Sequence, residues 1–139
     1  MRQAFATIEV KTGRAGLFEF TRDVEARLDE SGIRDGLVTL YVTHTSASLV
    51  IQEAADPDVV TDLEAFFRRL VPEDSRLYTH TAEGPDDMPA HIRSALTATH
   101  LSIPLRDGAL QLGTWQGVYL FEHRRGRSPR RVELHVIGE

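Results

Sequence analysis

Residues 37–52, LVTLYVTHTSASLVIQ, decide the fold. The first seven of them, LVTLYVT, are aliphatic, β-branched or aromatic, which suits a pleated strand. ASLVIQ, at 47–52, reads as its neighbour, with a turn of His44, Thr45 and Ser46 between them. Working outward, residues 3–10, 100–105, 110–122 and 132–137 also read as strands. Thr21 suits a helix N-cap, Val24 and Leu28 stack one turn apart, and Gly32 is placed to end that helix. Asp56-Pro57 opens a second helix with a capping carboxylate and a proline at its first position. Its apolar stripe is Val59, Val60, Leu63, Phe67 and Leu70, and its end charges complement the helix dipole. Pro89 starts a third helix that runs to about Thr97. Six or so strands and three helices, without regular βαβ alternation, predict an α+β fold. Its expected form is a mostly antiparallel, sandwich-like sheet with the helices packed on it, in one domain over 1–139.

Along 110–122, Leu110, Leu112, Val118 and Leu120 fall on one face, and Trp115, Tyr119 and Phe121 on the other. Gly113 and Gly117 leave room there for a bulge.

Composition narrows the chemistry. The net charge of −5 argues against a general nucleic-acid binder, which needs a basic face. There is no cysteine, so thiol catalysis is excluded. No apolar run approaches the ~18 residues of a membrane span, and the first 20 residues are too charged for a signal peptide. The expected setting is the cytoplasm. No P-loop, GxSxG or dinucleotide fingerprint occurs.

What remains is histidine. His44 lies at a strand end. His80 lies in the long irregular stretch 72–88, a length more often functional than not. His91 falls in the expected first turn of the third helix, where the dipole favours the neutral ring that a metal requires. Three imidazoles around an open position suit a catalytic divalent metal. The acidic run Glu83-Gly84-Pro85-Asp86-Asp87 could add an oxygen ligand or a base. The spacings match no compact zinc motif, and scattered histidines are commonly structural. His100, His123 and His135 read as structural or surface residues. Arg124, Arg125, Arg127, Arg130 and Arg131 suggest either a phosphate clamp or a solvated hairpin tip. The tip is the preferred reading for Arg124 to Arg130, and Arg131 is left open.

The stretches HTSASLVIQEAADPDVVTDLE (44–64), DDMPAHIRSAL (86–96), DGALQLGTWQGVYLFE (107–122) and the closing VIGE (136–139) resemble the YjbQ family. LQLGTWQG is the most specific of these segments. The chain reads IQE at 51–53 where many relatives carry asparagine. The resemblance implies a small α+β sandwich assembled as a homotrimer, with shared histidines gathered in a cavity that binds metal, zinc above all. It carries His44, His80 and His91 over as the metal ligands. It also implies a secondary thiamine-phosphate synthase activity, for which magnesium is the alternative metal. The principal enzymes of that reaction resemble TIM barrels of ~250 residues, which 139 residues cannot build, so any such activity uses another site.

The expected function is a metal-assisted transferase or hydrolase acting on a small phosphorylated molecule, without nucleic-acid or membrane partners. Glu53, Asp87 and Glu122 are the candidate bases, Arg131 an anion clamp, and Trp115 and Gln116 further substrate-binding residues. The alternatives are a trimer that binds metal or ligand without turnover, and a purely structural trimer.

Overall fold

In the computed structural model, which describes residues 1–139, the chain runs β1 (Arg2–Val10), β2 (Gly16–Glu19), α1 (Thr21–Ser31), β3 (Gly36–Val42), β4 (Ala47–Glu53), α2 (Pro57–Leu70), α3 (Asp87–Leu96), β5 (His100–Arg106), β6 (Ala109–Leu110), β7 (Gln116–Glu122) and β8 (Arg130–Gly138), with a short 3₁₀ helix at Ser75–Leu77. The strands form two antiparallel sheets, β1-β8-β3-β5-β6 and β2-β7-β4. The His44–Ser46 turn therefore does not close a hairpin. It carries the chain from one sheet to the other.

The core lies between the sheets. Val38, Leu40, Val42, Val132, Leu134 and Val136 of the larger sheet share one apolar cluster with Leu49, Val118 and Leu120 of the smaller. Val24 and Leu28 of α1 join it, as their one-turn spacing predicts. Burying each such side chain contributes roughly 1.5–3 kcal/mol. A second, smaller cluster lies on the other face of β7, where Leu17, Tyr119 and Phe121 meet Val60, Leu63 and Phe67 of α2. The Asp56 carboxylate accepts from the Asp58 N–H at 2.9 Å, capping α2. No helix is long and apolar enough to cross a membrane.

The structure amends several expectations. The strand expected over 110–122 is interrupted, because residues 111–115 leave the sheet. There the Gln116 side-chain oxygen accepts from the Gly113 N–H at 2.7 Å and fixes a turn. Val118 and Leu120 do face the main core and Tyr119 and Phe121 the opposite side, but Trp115 sits on the turn, 63% exposed. Thr21 begins α1 rather than capping it; its hydroxyl donates to Glu19 and accepts from the Val118 N–H. The third helix starts at Asp87, two residues before Pro89, so His91 lies in its second turn.

The solvated-tip reading fails for two of the hairpin arginines. Arg124 and Arg130 are buried, each tied to carboxylates, while Arg127 stays exposed. His123 is fully buried. The outer face of the larger sheet stays open and shows Phe5, Leu37, Tyr41 and Ile137 to solvent.

Candidate metal centre

Three side chains converge at the start of α3. Asp87 occupies its first turn, where the helix dipole favours a carboxylate, and His91 follows one turn later on the same face. His80 reaches in from the loop before the helix. Asp87 Oδ2 lies 2.6 Å from His80 Nε2 and 3.1 Å from His91 Nε2. The three ligand atoms lie within 4.8 Å of one another. His80 and His91 remain partly open to solvent, with 43% and 31% of their side chains exposed, whereas Asp87 is buried at 4%.

The His91 ring is oriented from behind. His91 Nδ1 donates to the Thr45 carbonyl at 3.0 Å, which leaves Nε2 of the neutral ring as a lone pair facing a carboxylate oxygen. Two acceptors at that distance need a proton or a cation between them. Arg124 holds the other carboxylate oxygen: its Nη1 donates to Asp87 Oδ1 at 2.7 Å, while Nη2 donates to the Glu83 carbonyl and to Asp86. Gly84, at φ +102°, supplies the left-handed bend that lets this loop wrap the guanidinium. Burial opposes the Asp87 charge, but the contacts with His80 and Glu83 and the charges of His91 and Arg124 outweigh it and hold its pKa at about 2. The hydrogen bond to Asp87 raises the His80 pKa, against a smaller effect of burial and with the Asp87 and Glu83 charges adding to it.

Two imidazoles and an ionised carboxylate, with the outer atoms of His91 and Asp87 fixed by the Thr45 carbonyl and Arg124, form a donor set that fits a divalent cation. Tetrahedral ligation at 2.0–2.1 Å sets donor atoms about 3.3 Å apart, against 2.6 and 3.1 Å from Asp87 Oδ2 to the two rings.

The structure does not bring His44 into this group. Its Nε2 accepts from the Arg131 N–H at 2.8 Å, and its Nδ1 faces Arg130 Nη1 at 3.3 Å. Burial, with the Arg130 and Arg131 charges, outweighs Glu122 and lowers its pKa. His44 instead lines an open groove of about 580 Å³ together with Thr45, Ser46 and Arg130. The groove adjoins the centre through Thr45, whose carbonyl orients His91.

The family's sequence profile, described as UPF0047 protein YjbQ-like, matches residues 6–139. The chain belongs to this family. The UPF0047 protein sll1880 of Synechocystis is 54% identical over 138 residues, 99% of this chain and 94% of that protein. The UPF0047 protein YugU of Bacillus subtilis is 38% identical over 133 residues, 95% and 98% of the two. Among solved structures, a YbjQ-like protein of unknown function from Sulfolobus solfataricus superposes with a TM-score of 0.90 at 27% identity, over 99% of each chain. The conserved hypothetical protein TT1486 of Thermus thermophilus gives 0.85 at 38% identity, over 95% of this chain and 99% of that one. The α+β sandwich is thus the YjbQ-like fold.

The remaining candidates fall elsewhere in the protomer. β4 and β7 pair Ala47 with Glu122 at one end and Glu53 with Gln116 at the other. Six residues of strand separate the two ends by about 20 Å. Glu53, Trp115 and Gln116 therefore sit far from the histidine pair, and Gln116 spends its oxygen on the 113–116 turn. Glu122 lies near the correct end but is fully buried and saturated. It accepts from Arg130 at 2.6–3.0 Å, from the Thr12 hydroxyl and from the Arg124 N–H. That pairing, invisible in the sequence, makes it a structural anion rather than a free base. Arg131 borders a smaller depression with Glu9 and His44. The positioning residues that sequence reasoning missed are Arg124, Arg130 and the Thr45 carbonyl.

Proposed function

We propose that the protein is a metal-assisted enzyme acting on a small phosphorylated molecule, with His80, Asp87 and His91 holding the metal. The carrying observation is the facing of His91 Nε2 and Asp87 Oδ2 at 3.1 Å, with the outer atom of each already bonded to the Thr45 carbonyl and Arg124. Zinc suits two nitrogens and one oxygen, and its fourth position would stay open toward solvent. When bound, such an ion polarises a phosphoryl oxygen or lowers the pKa of a water.

The chain's own groups do the rest. Glu83, whose carboxylate lies 3.4 Å from His80 Nε2 and is 61% exposed, is the unfilled base beside the centre. The groove with His44 and Arg130 receives the substrate, and Arg131 at its rim meets an anionic group. Thiamine-phosphate synthesis is, on this reading, a side activity of the same centre.

We further infer a homotrimer, supported by the open sheet face bearing Phe5, Leu37, Tyr41 and Ile137. A second reading, metal or ligand binding without turnover, is favoured by His44, whose Nε2 is already taken by the Arg131 N–H, which leaves the neutral ring no free lone pair. Protein purified without a histidine tag tests both. The enzyme reading expects near one divalent ion per chain and metal-dependent turnover of some member of a phosphorylated-metabolite panel. Metal without turnover across the panel favours the second reading, and no metal removes both.

A further inference from the structure

A second concavity lies beneath α2 and is lined by none of His80, Asp87 and His91. It is a cavity of about 200 Å³ whose wall includes Phe67, Arg68, Glu73, Arg93, His123 and Arg125. Two of these side chains are buried and incompletely bonded. Arg93 is 6% exposed; its Nη2 donates to the Val71 carbonyl at 2.6 Å, but its Nε–H finds no acceptor. His123 is 1% exposed; its Nε2 meets the Ser48 hydroxyl at 2.8 Å, and its Nδ1 has no partner.

The charges around them do not balance. Arg14 is taken by Glu64 and Arg125 by Glu73, while Glu122 belongs to Arg130. Arg68 and Arg93 are left without a carboxylate. A guanidinium cannot shed its proton, so Arg93 keeps a buried charge that one carbonyl oxygen does not compensate. A buried cation without a carboxylate and a ring with an unfilled nitrogen, both in the wall of one cavity, call for an anion from outside the chain.

We infer that this cavity binds a small oxyanion, a carboxylate or phosphate group, through the Arg93 guanidinium, with His123 and Arg68 in the same wall. Its volume takes one such group in place of several waters. Arg93 also staples the C-terminal end of α2 to α3 through Val71, so an occupied cavity would tighten the junction between the two helices.

The test is a titration of the full chain with inorganic phosphate and, separately, with acetate, at ionic strength held constant with chloride. The arginine Nε–H and histidine ring nitrogens are followed by ¹⁵N NMR, with and without a chelator. We expect saturable shifts of the Arg93 and His123 signals with at least one anion, at the same midpoint with and without chelator. The stronger of the two anions identifies the ligand as a phosphate ester or a carboxylate. Arg68→Ala, on the exposed side of α2, should weaken the midpoint several-fold without disturbing the spectrum elsewhere. Signals that stay fixed, a linear drift without saturation (an adventitious ion only), a response confined to metal-loaded protein or a midpoint indifferent to Arg68→Ala would each overturn the assignment. Because the chelated protein is tested in its own right, failure here leaves the metal centre untouched, and the reverse holds too.

Discussion

At the scale of single residues, the histidines of this protein do unlike work, and each role has its own test. On the proposed reading, His91→Ala removes one of three ligands yet little packing. Bound metal should fall by ten-fold or more in affinity, with a thermal midpoint close to wild type; metal analysis beside thermal unfolding checks both. His44→Ala should do the reverse, keeping the metal and losing stability, because it strips the acceptor of the Arg131 N–H. His123 is the acid-sensitive one. Burial, aided by the Arg93 and Arg130 charges, lowers its pKa to about 3. A folded pKa below the unfolded value means that the unfolded chain binds the proton first. Stability is therefore lost as pH falls below about 6.5, by about 2 kcal/mol between pH 7 and pH 5 from this residue alone. His44 adds to the loss, and His80, whose pKa is raised, opposes it. His123→Gln should flatten the slope in denaturant titrations run across that range, whatever it does to stability at neutral pH. An unchanged slope would show that the ring is not kept neutral by the fold. Glu122→Ala, which strands Arg130, should cost about 3–5 kcal/mol.

Elements whose own residues carry the signal were legible in the sequence. α2 is the clearest. Its cap, its first-position proline and its apolar stripe lie within fifteen residues, and they need no partner to be recognised. Asp56→Ala should therefore lower stability by about 1 kcal/mol, read from the denaturant midpoint at constant slope. Val118 and Leu120 could be placed on the core face by alternation alone. The interruption before them could not, because it depends on a side chain–backbone bond from Gln116 to Gly113. β2 escaped notice because four residues, Gly16–Glu19, are too short for periodicity to register. Of the candidate site, the reading of the acidic loop and of His80 and His91 pointed to residues that do meet. That His44 lies outside their cluster has a physical cause. A turn that switches sheets sends its side chains differently from a hairpin turn, and sheet membership is not a local property. The buried arginines were misread for the same reason: Arg124 and Arg130 find Asp86, Asp87 and Glu122 only once β7, β8 and the loop before α3 are assembled.

For the molecule as a whole, the open face of the five-stranded sheet sets the expected assembly. If Phe5, Leu37, Tyr41 and Ile137 are covered by other copies, light scattering should return three times the 15.6 kDa chain mass, and Tyr41→Glu should lower it toward one. A wild-type chain that scatters as a monomer at micromolar concentration would end the trimer proposal. The pairing of β1 with β8 reaches further, because it joins Arg2 to Gly138 and Val10 to Arg130. β8 separates β1 from β3, so the first strand has no place in the sheet until the last has arrived. During synthesis, β1 must wait through about 120 further residues with its alternating apolar residues unpaired. A nascent chain stalled before residue 130 should remain protease-sensitive throughout the larger sheet. Its yield in cells should therefore depend on how well β1 is shielded during synthesis, more than its refolding from dilute denaturant does.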